Sequence, residues 1–150
     1  MADLKSYRPL RLMAEDQDDL KVISACLQDA VMKLGDMAYL PKARRFAFVA
    51  NRFVWECAGP GGDRRFARVR AGAHFDDVAA VRQLNLRADA KDAVVELLAM
   101  RFEPAADGAG AVTLDFAGGG AVRLEVDAVN ATLRDLSEPW RTRSKPTHEE

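Results

Sequence analysis

The sequence is poor in the residues from which metal and thiol sites are made. Among 150 residues there are two cysteines and two histidines, and the cysteines, Cys26 and Cys57, are far apart. No zinc-ligand spacing is available, and no cofactor is implied. Cys26 falls in a helical pattern and Cys57 ends a strand pattern, so two buried, reduced thiols are the simpler reading, as a cytoplasmic protein would carry. An excess of one charge is lacking too. Lys and Arg number 22 against 23 Asp and Glu, a formal net charge of −1, so no global field favours nucleic acid, an anionic membrane or a cationic partner. Any such partner needs a local patch. No apolar run approaches the ~20 residues that cross a bilayer, and Met1-Ala2-Asp3-Leu4-Lys5 lacks the apolar core of a signal peptide. A cytoplasmic location with no membrane partner is expected.

Familiar catalytic motifs are missing as well. The Gly-rich loop at 58–63 runs into Arg64-Arg65 rather than Gly-Lys and sits between strand patterns. Gly108-Ala109-Gly110 begins a dinucleotide fingerprint, but Thr113 holds the third glycine position and the flanks read as strands. There is no Gly-x-Ser-x-Gly elbow. The balance leans away from an enzyme.

What is present is the make-up of one globular domain: 49% hydrophobic and 30% charged residues. Residues 10–14 read as a first strand. Asp16 is placed to cap a helix over 17–28, with Asp18 and Asp19 at its positive end and Leu20, Ile23, Leu27 and Ala30 on one stripe. Met37–Leu40 lies between turn signals. Arg45–Glu56 is strand-like, but Phe46 and Phe48 have one parity and Phe53 and Trp55 the other, which predicts a bulge or turn near Asn51-Arg52. Val69, Ala71, Ala73 and Phe75 alternate with Arg68, Arg70, Gly72 and His74. Residues 78–86 lean to strand, and Val94–Glu103 suits a central strand. Val112–Phe116 and Val122–Val126 form a hairpin about Gly118-Gly119-Gly120. Residues 128–136 fit either a strand or a short helix.

Shifted by 63 residues, the chain echoes itself: 29–41 and 92–104 share six of thirteen positions, including Asp29/Asp92, Met37/Met100 and Pro41/Pro104. Chance gives about one. The expected fold is α+β, a mainly antiparallel sheet of about seven strands with one clear N-terminal helix. An internally duplicated arrangement is the first choice and a pleckstrin-homology-like barrel the second. The expected divisions are a flexible N-terminus at 1–9, a domain at 10–137 with pseudo-repeat halves 10–57 and 66–136, and an extended tail at 138–150. The expected core is Leu20, Ile23, Leu27, Phe46, Phe48, Val69, Phe75, Leu98, Met100, Leu114, Val122 and Leu124.

Four features bear on function. Arg64, Phe66, Arg68, Arg70 and His74 share one strand parity; such a row grips phosphates with Phe66 free to stack, although a solvated face guarded by arginines is the simpler reading. His74 with Asp76 and Asp77 resembles an acid–base pair or part of a metal site that lacks a third ligand. Arg52, Trp55 and Glu56 combine aromatic and polar groups as ligand pockets do, or belong to the core and its edge. Trp140, in a basic tail, is a candidate partner anchor.

Leu27-Gln-Asp-Ala-Val31, Gly35-Asp36, Tyr39-Leu40-Pro41, Asn51-Arg52-Phe53 and Trp55-Glu56, followed by Arg101-Phe102-Glu103-Pro104, Phe116-Ala-Gly-Gly-Gly-Ala121, Arg123-Leu124 and Thr142-Arg143-Ser144-Lys145-Pro146, resemble an uncharacterised family of small alphaproteobacterial proteins, a domain of unknown function. The resemblance spans about residues 10–146 and implies a bacterial cytoplasmic source and one full-length domain. No activity, cofactor or catalytic residue comes with it. The leading functional expectation is a non-catalytic binding or assembly module, homodimeric through an exposed strand edge. Its rivals are a ligand-binding protein or enzyme using Arg52, Glu56, His74 and Asp76, and a nucleic-acid binder working through the Arg64–Arg70 strand. The charge balance disfavours nucleic acid.

Overall fold

The computed structural model describes residues 7–57, 67–87 and 89–141. Strand β1 is Arg11–Ala14 and helix α1 is Gln17–Cys26. Asp16 caps the helix by accepting the Asp19 N–H at 2.8 Å, and Asp18 and Asp19 face the partial positive charge of the first turn. Leu20 and Ile23 are buried. The helix stops short of residue 28, and Asp29 adopts a left-handed φ of 64° that turns the chain into the sheet.

The remaining strands are β2 (Val31–Lys33), β3 (Met37–Leu40), β4 (Arg45–Phe53), β5 (Ala67–Phe75), β6 (Val78–Leu84), β7 (Val94–Pro104), β8 (Gly110–Phe116), β9 (Ala121–Val126), β10 (Ala131–Asp135) and β11 (Trp140–Arg141). The fold is thus mostly antiparallel sheet with one helix. Among the described residues eleven strands replace the predicted seven: β2 and β11 have only three and two residues, too few for alternation to register, and β6 and β10 lie where the pattern is mixed. Both ambiguous segments, 78–86 and 128–136, contain strands.

The strand order is β1-β10-β5-β4-β2-β7-β8-β9-β6, with β3 also on β4 and β11 also on β5. Every pairing is antiparallel. Chain neighbours are not always sheet neighbours: β6 follows β5 but lies beside β9, and β10 follows β9 but lies beside β5. At the two crossover corners, Asp76 N–H donates to Asn130 O and Asp127 N–H to Asp77 O, at 2.8 and 3.0 Å. The sheet coils strongly. Val78, at the start of terminal strand β6, donates to Arg44 O and accepts from the Tyr39 hydroxyl. The two wings therefore face each other across one core, which joins Phe46, Phe48 and Phe75 to Leu114, Phe116, Val122 and Leu124. Helix α1 packs against β7 and β1 on this inner side.

Three expectations need correction. Leu98 is 38% exposed, and Leu97 takes its place in the core at 0%. A register shift between Leu97 and Ala99 in the β7–β8 pairing inverts the alternation read back from Met100. No bulge occurs at Asn51-Arg52: β4 pairs with β5 without interruption from Phe46↔Phe75 to Phe53↔Arg68. Arg52 simply keeps the inward parity of Phe46 and Phe48. The stretch read as a flexible N-terminus, 1–9, includes a docked residue, since Tyr7 is buried beside Val54, Ala67 and Val69. The loop at 58–63 and the Arg64–Phe66 part of the arginine row lie outside the described residues.

The Leu97/Leu98 inversion is directly measurable. Leu97→Ala should cost about 2–5 kcal/mol by chemical denaturation, the usual range for a buried leucine. Leu98→Ala should cost less than about 1 kcal/mol.

Candidate functional site

Two constellations of polar groups lie on opposite sides of the β4–β5 layer. The inner one is built on Arg52, whose side chain is fully buried. Its straight strand points it inward at the end of β4, where Asp135 at the end of β10 meets it. Nε donates to Asp135 Oδ1 and Nη2 to Asp135 Oδ2, both at 2.8 Å. Glu56, one turn beyond the strand, accepts from Nη1 at 3.1 Å and Nη2 at 2.8 Å. Nη1 also donates to Phe53 O at 3.0 Å. All five guanidinium N–H donors are thereby used. Asp135 Oδ2 further accepts the Tyr7 hydroxyl and the Leu10 N–H, each at 2.8 Å.

The electrostatics are those of a closed ion pair. Burial pushes the Arg52 guanidinium down, but its bonds to Asp135 and Glu56 outweigh burial and hold it above its ordinary value. Burial pushes the Asp135 carboxyl up, and donation from Arg52, Leu10 and Tyr7 brings it below the usual carboxylate range. The Tyr7 hydroxyl is raised by burial and by its bond to Asp135. With its donors spent, Arg52 serves here as a structural clamp. Trp55 stands beside it: its indole N–H donates to Gln28 O at 3.1 Å, and its ring lies 5.5 Å from that of Phe53.

The outer side is the face shared by β1, β10, β5, β4 and β2. Register aligns its side chains in transverse rows. Met13, Thr132, His74 and Ala47 form one; Arg11, Arg134, Gly72 and Val49 form the next; Arg70, Asn51 and Val31 form a third. Small residues floor the first two, leaving a concavity of about 600 Å³ lined by Arg11, Arg45, His74, Arg134 and the exposed Met13 and Leu136. A smaller cleft of about 150 Å³ adjoins it at Val49 and includes Asn51 and Arg70.

At one end of the large concavity, Asp76 accepts from Arg45 Nε at 2.8 Å and lies 3.5 Å from His74 Nε2. Burial, with Arg45 adding to it and Asp76 opposing it, holds the His74 imidazole below 6.5. Arg68, on the same face, is committed: its guanidinium lies 3.7 Å over the Phe53 ring and donates to Asn51 O. Arg11, Arg70 and Arg134 make no ion pair among the described residues.

The corresponding surface of the other wing differs. Arg101 pairs with Asp115 at 2.8 Å and Glu103 at 2.7 Å, and Arg123 pairs with Glu125 at 2.9 Å. Arg82, opposite Arg123, is the exception on that wing; on the β1–β10–β5 side the unpaired arginines among the described residues are Arg11, Arg70 and Arg134.

Of the residues singled out from sequence, the structure joins Arg52 with Glu56, and His74 with Asp76. It does not join the two pairs, which lie on opposite faces of the sheet. Asp77 turns away to the crossover corner, where its carboxylate accepts from Asn130. Among the described residues, no three His, Cys, Asp or Glu converge as a metal site would need. Sequence reasoning missed Asp135 and Tyr7 at the clamp, and Arg11, Arg45 and Arg134 on the face. Strand parity carried part of the signal, but the partner strands are remote in sequence.

The profile of one protein family, Protein of unknown function (DUF2948), matches residues 10–148. The chain belongs to this family. No curated protein and no solved structure matches the chain. Membership in DUF2948 thus brings no substrate or partner, and the functional argument rests on the two constellations. No helix among the described residues is long and apolar enough to cross a membrane.

Arg52→Ala should cost about 3–5 kcal/mol, because it strands the buried Asp135 carboxylate. Arg52→Lys should not restore stability, since an ammonium lacks the planar five-donor fork. Both are read by denaturant melts. A pH series provides a second check. His74 is held below 6.5, so the unfolded chain protonates first as pH falls. Its contribution is full above 6.5 and declines below it. His74→Gln should therefore flatten the Tm slope between about pH 7 and 5.

Proposed function

We propose that this DUF2948 domain is a non-catalytic cytoplasmic binding module. Its binding surface is the outer face of β1, β10, β5, β4 and β2, and its occupant is an acidic segment of a protein partner. The observation that carries this reading is the set of uncompensated arginines, Arg11 and Arg134 on the concavity and Arg70 on the cleft beside it, on a chain of net charge −1. Arg11 and Arg134 are direct cross-strand neighbours, an arrangement of like charges that is unfavourable until an anion sits between them. Exposed Met13, Leu40 and Leu136 at 65%, 49% and 52% give apolar contact beside the charge, which suits a peptide better than a phosphodiester backbone. The half-buried free thiol of Cys26 accords with a reducing compartment.

We also propose that the domain arose by duplication of a hairpin-based unit. At the middle of the strand order, Met32 pairs with Val95, and 95 − 32 = 63, the offset of the sequence echo. Outward from that pair, β4 is answered by β8, β5 by β9 and β10 by β6. One echo segment is broken by the turn Leu34–Asp36 between β2 and β3, whereas the other runs unbroken as β7. In both, the methionine faces the following strand: Met37↔Phe48 and Met100↔Leu114.

The binding proposal is tested by fluorescence anisotropy with a labelled, end-blocked oligoglutamate. Affinity should fall as salt rises to about 0.15 M. Arg11→Glu with Arg134→Glu should abolish binding without lowering Tm, and Arg82→Glu on the other wing should change it little. Binding unaltered by the double reversal would overturn the assignment. Preference for a single-stranded oligonucleotide over the peptide would replace the acidic-protein reading with a nucleic-acid one.

A further inference from the structure

Resting on that surface, we infer how the partner binds: as an extended acidic strand that adds to the open edge of β1. Strand β1 ends the sheet, and among the described residues it pairs only with β10. The Asp135 N–H donates to Leu10 O at 3.0 Å, and the register continues through Leu12↔Leu133 and Ala14↔Ala131. In an antiparallel ladder this phase turns the backbone groups of Leu10, Leu12 and Ala14 toward β10 and those of Arg11 and Met13 outward. Arg11 and Met13 thus offer two N–H and two C=O groups to an incoming strand, the geometry of β-strand addition.

Side chains set the chemistry of that strand. Its outward residues would lie beside Arg11, with Arg134 immediately behind, and so carry carboxylates. Its inward residues would meet Leu12, which packs against the core, and so be apolar. The fitting sequence alternates acidic and apolar residues. The same arginines disfavour a second copy of β1 in the antiparallel register that sets Arg11 opposite another Arg11. Edge arginines commonly guard against indiscriminate pairing; here the guard is selective for an acidic strand.

The discriminating variant is Met13→Pro. Its N–H points away from β10, so proline removes an edge donor without removing a sheet hydrogen bond, as proline on edge strands generally does. With an end-blocked peptide alternating Glu and Val as probe, the wild type should bind more tightly than it binds oligoglutamate. Met13→Pro should weaken this binding by about tenfold or more with Tm retained, and Met13→Ala by much less. N-methylation of alternate peptide amides should cause a similar loss. If Met13→Pro folds and binds as the wild type does, strand addition is wrong. If in that case Arg11→Glu with Arg134→Glu still abolishes binding, the surface assignment stands without it. If neither peptide binds the wild type, both fall. Should Met13→Pro fail to fold, the N-methylated peptide alone decides the matter on the wild-type protein.

Discussion

The Arg52–Asp135 pair is the contact this fold can least afford to break, because either partner alone would be a stranded buried charge. The two residues are 83 positions apart, and their contact fixes the end of β4 against the end of β10. Around them it collects Tyr7, the Leu10 amide and Glu56. A fully buried guanidinium is tolerable only when every donor is met, since desolvation of an unpaired charge costs several kcal/mol. That all-or-nothing demand leaves little room for sliding. A one-residue shift of β10 would carry Asp135 to the wrong face, so the clamp sets the register of the strands that display the basic surface.

The outward face inherits its character from that register. Arg134 stands next to Asp135 in β10 and points the other way, so locking one carboxylate inward fixes an arginine outward beside Arg11. The two wings show what the same scaffold does with charge. Arg101 and Arg123 are tied to neighbouring carboxylates, whereas Arg11, Arg70 and Arg134 have none supplied. Small floor residues, Gly72 and Ala47 among them, leave a hollow where larger side chains would have filled the space. Gly72 is further constrained because a Cβ there would come within 3.2 Å of Leu136.

Much of the architecture was legible in the sequence, for identifiable reasons. The Asp16 cap and the Leu20/Ile23/Leu27 stripe declared α1, and the alternations about Gly118-Gly119-Gly120 declared the β8–β9 hairpin. Alternation fails where the ladder slips, so it points to Leu98 as core in place of Leu97. Parity alone also suggested a break at Asn51-Arg52, because an arginine in an inward position looks like a fault until its carboxylate is seen. The row Arg68, Arg70, His74 was readable as one face, but its partners on β1 and β10 were not. Pairing between strands remote in sequence leaves no local trace.

The exchange of β6 and β10 between the wings has a consequence for how the chain reaches this state. Strand β9 finds β6 within the continuous stretch 78–126, but β5 gains its second neighbour, β10, only from a strand that follows β9 in the chain. Early intermediates must leave the outer edge of β5 unfilled until β10 arrives. Such non-local closure makes folding slow relative to a helical domain of this size. It also joins the wings into one cooperative unit, in which local loosening of one withdraws a strand from the other.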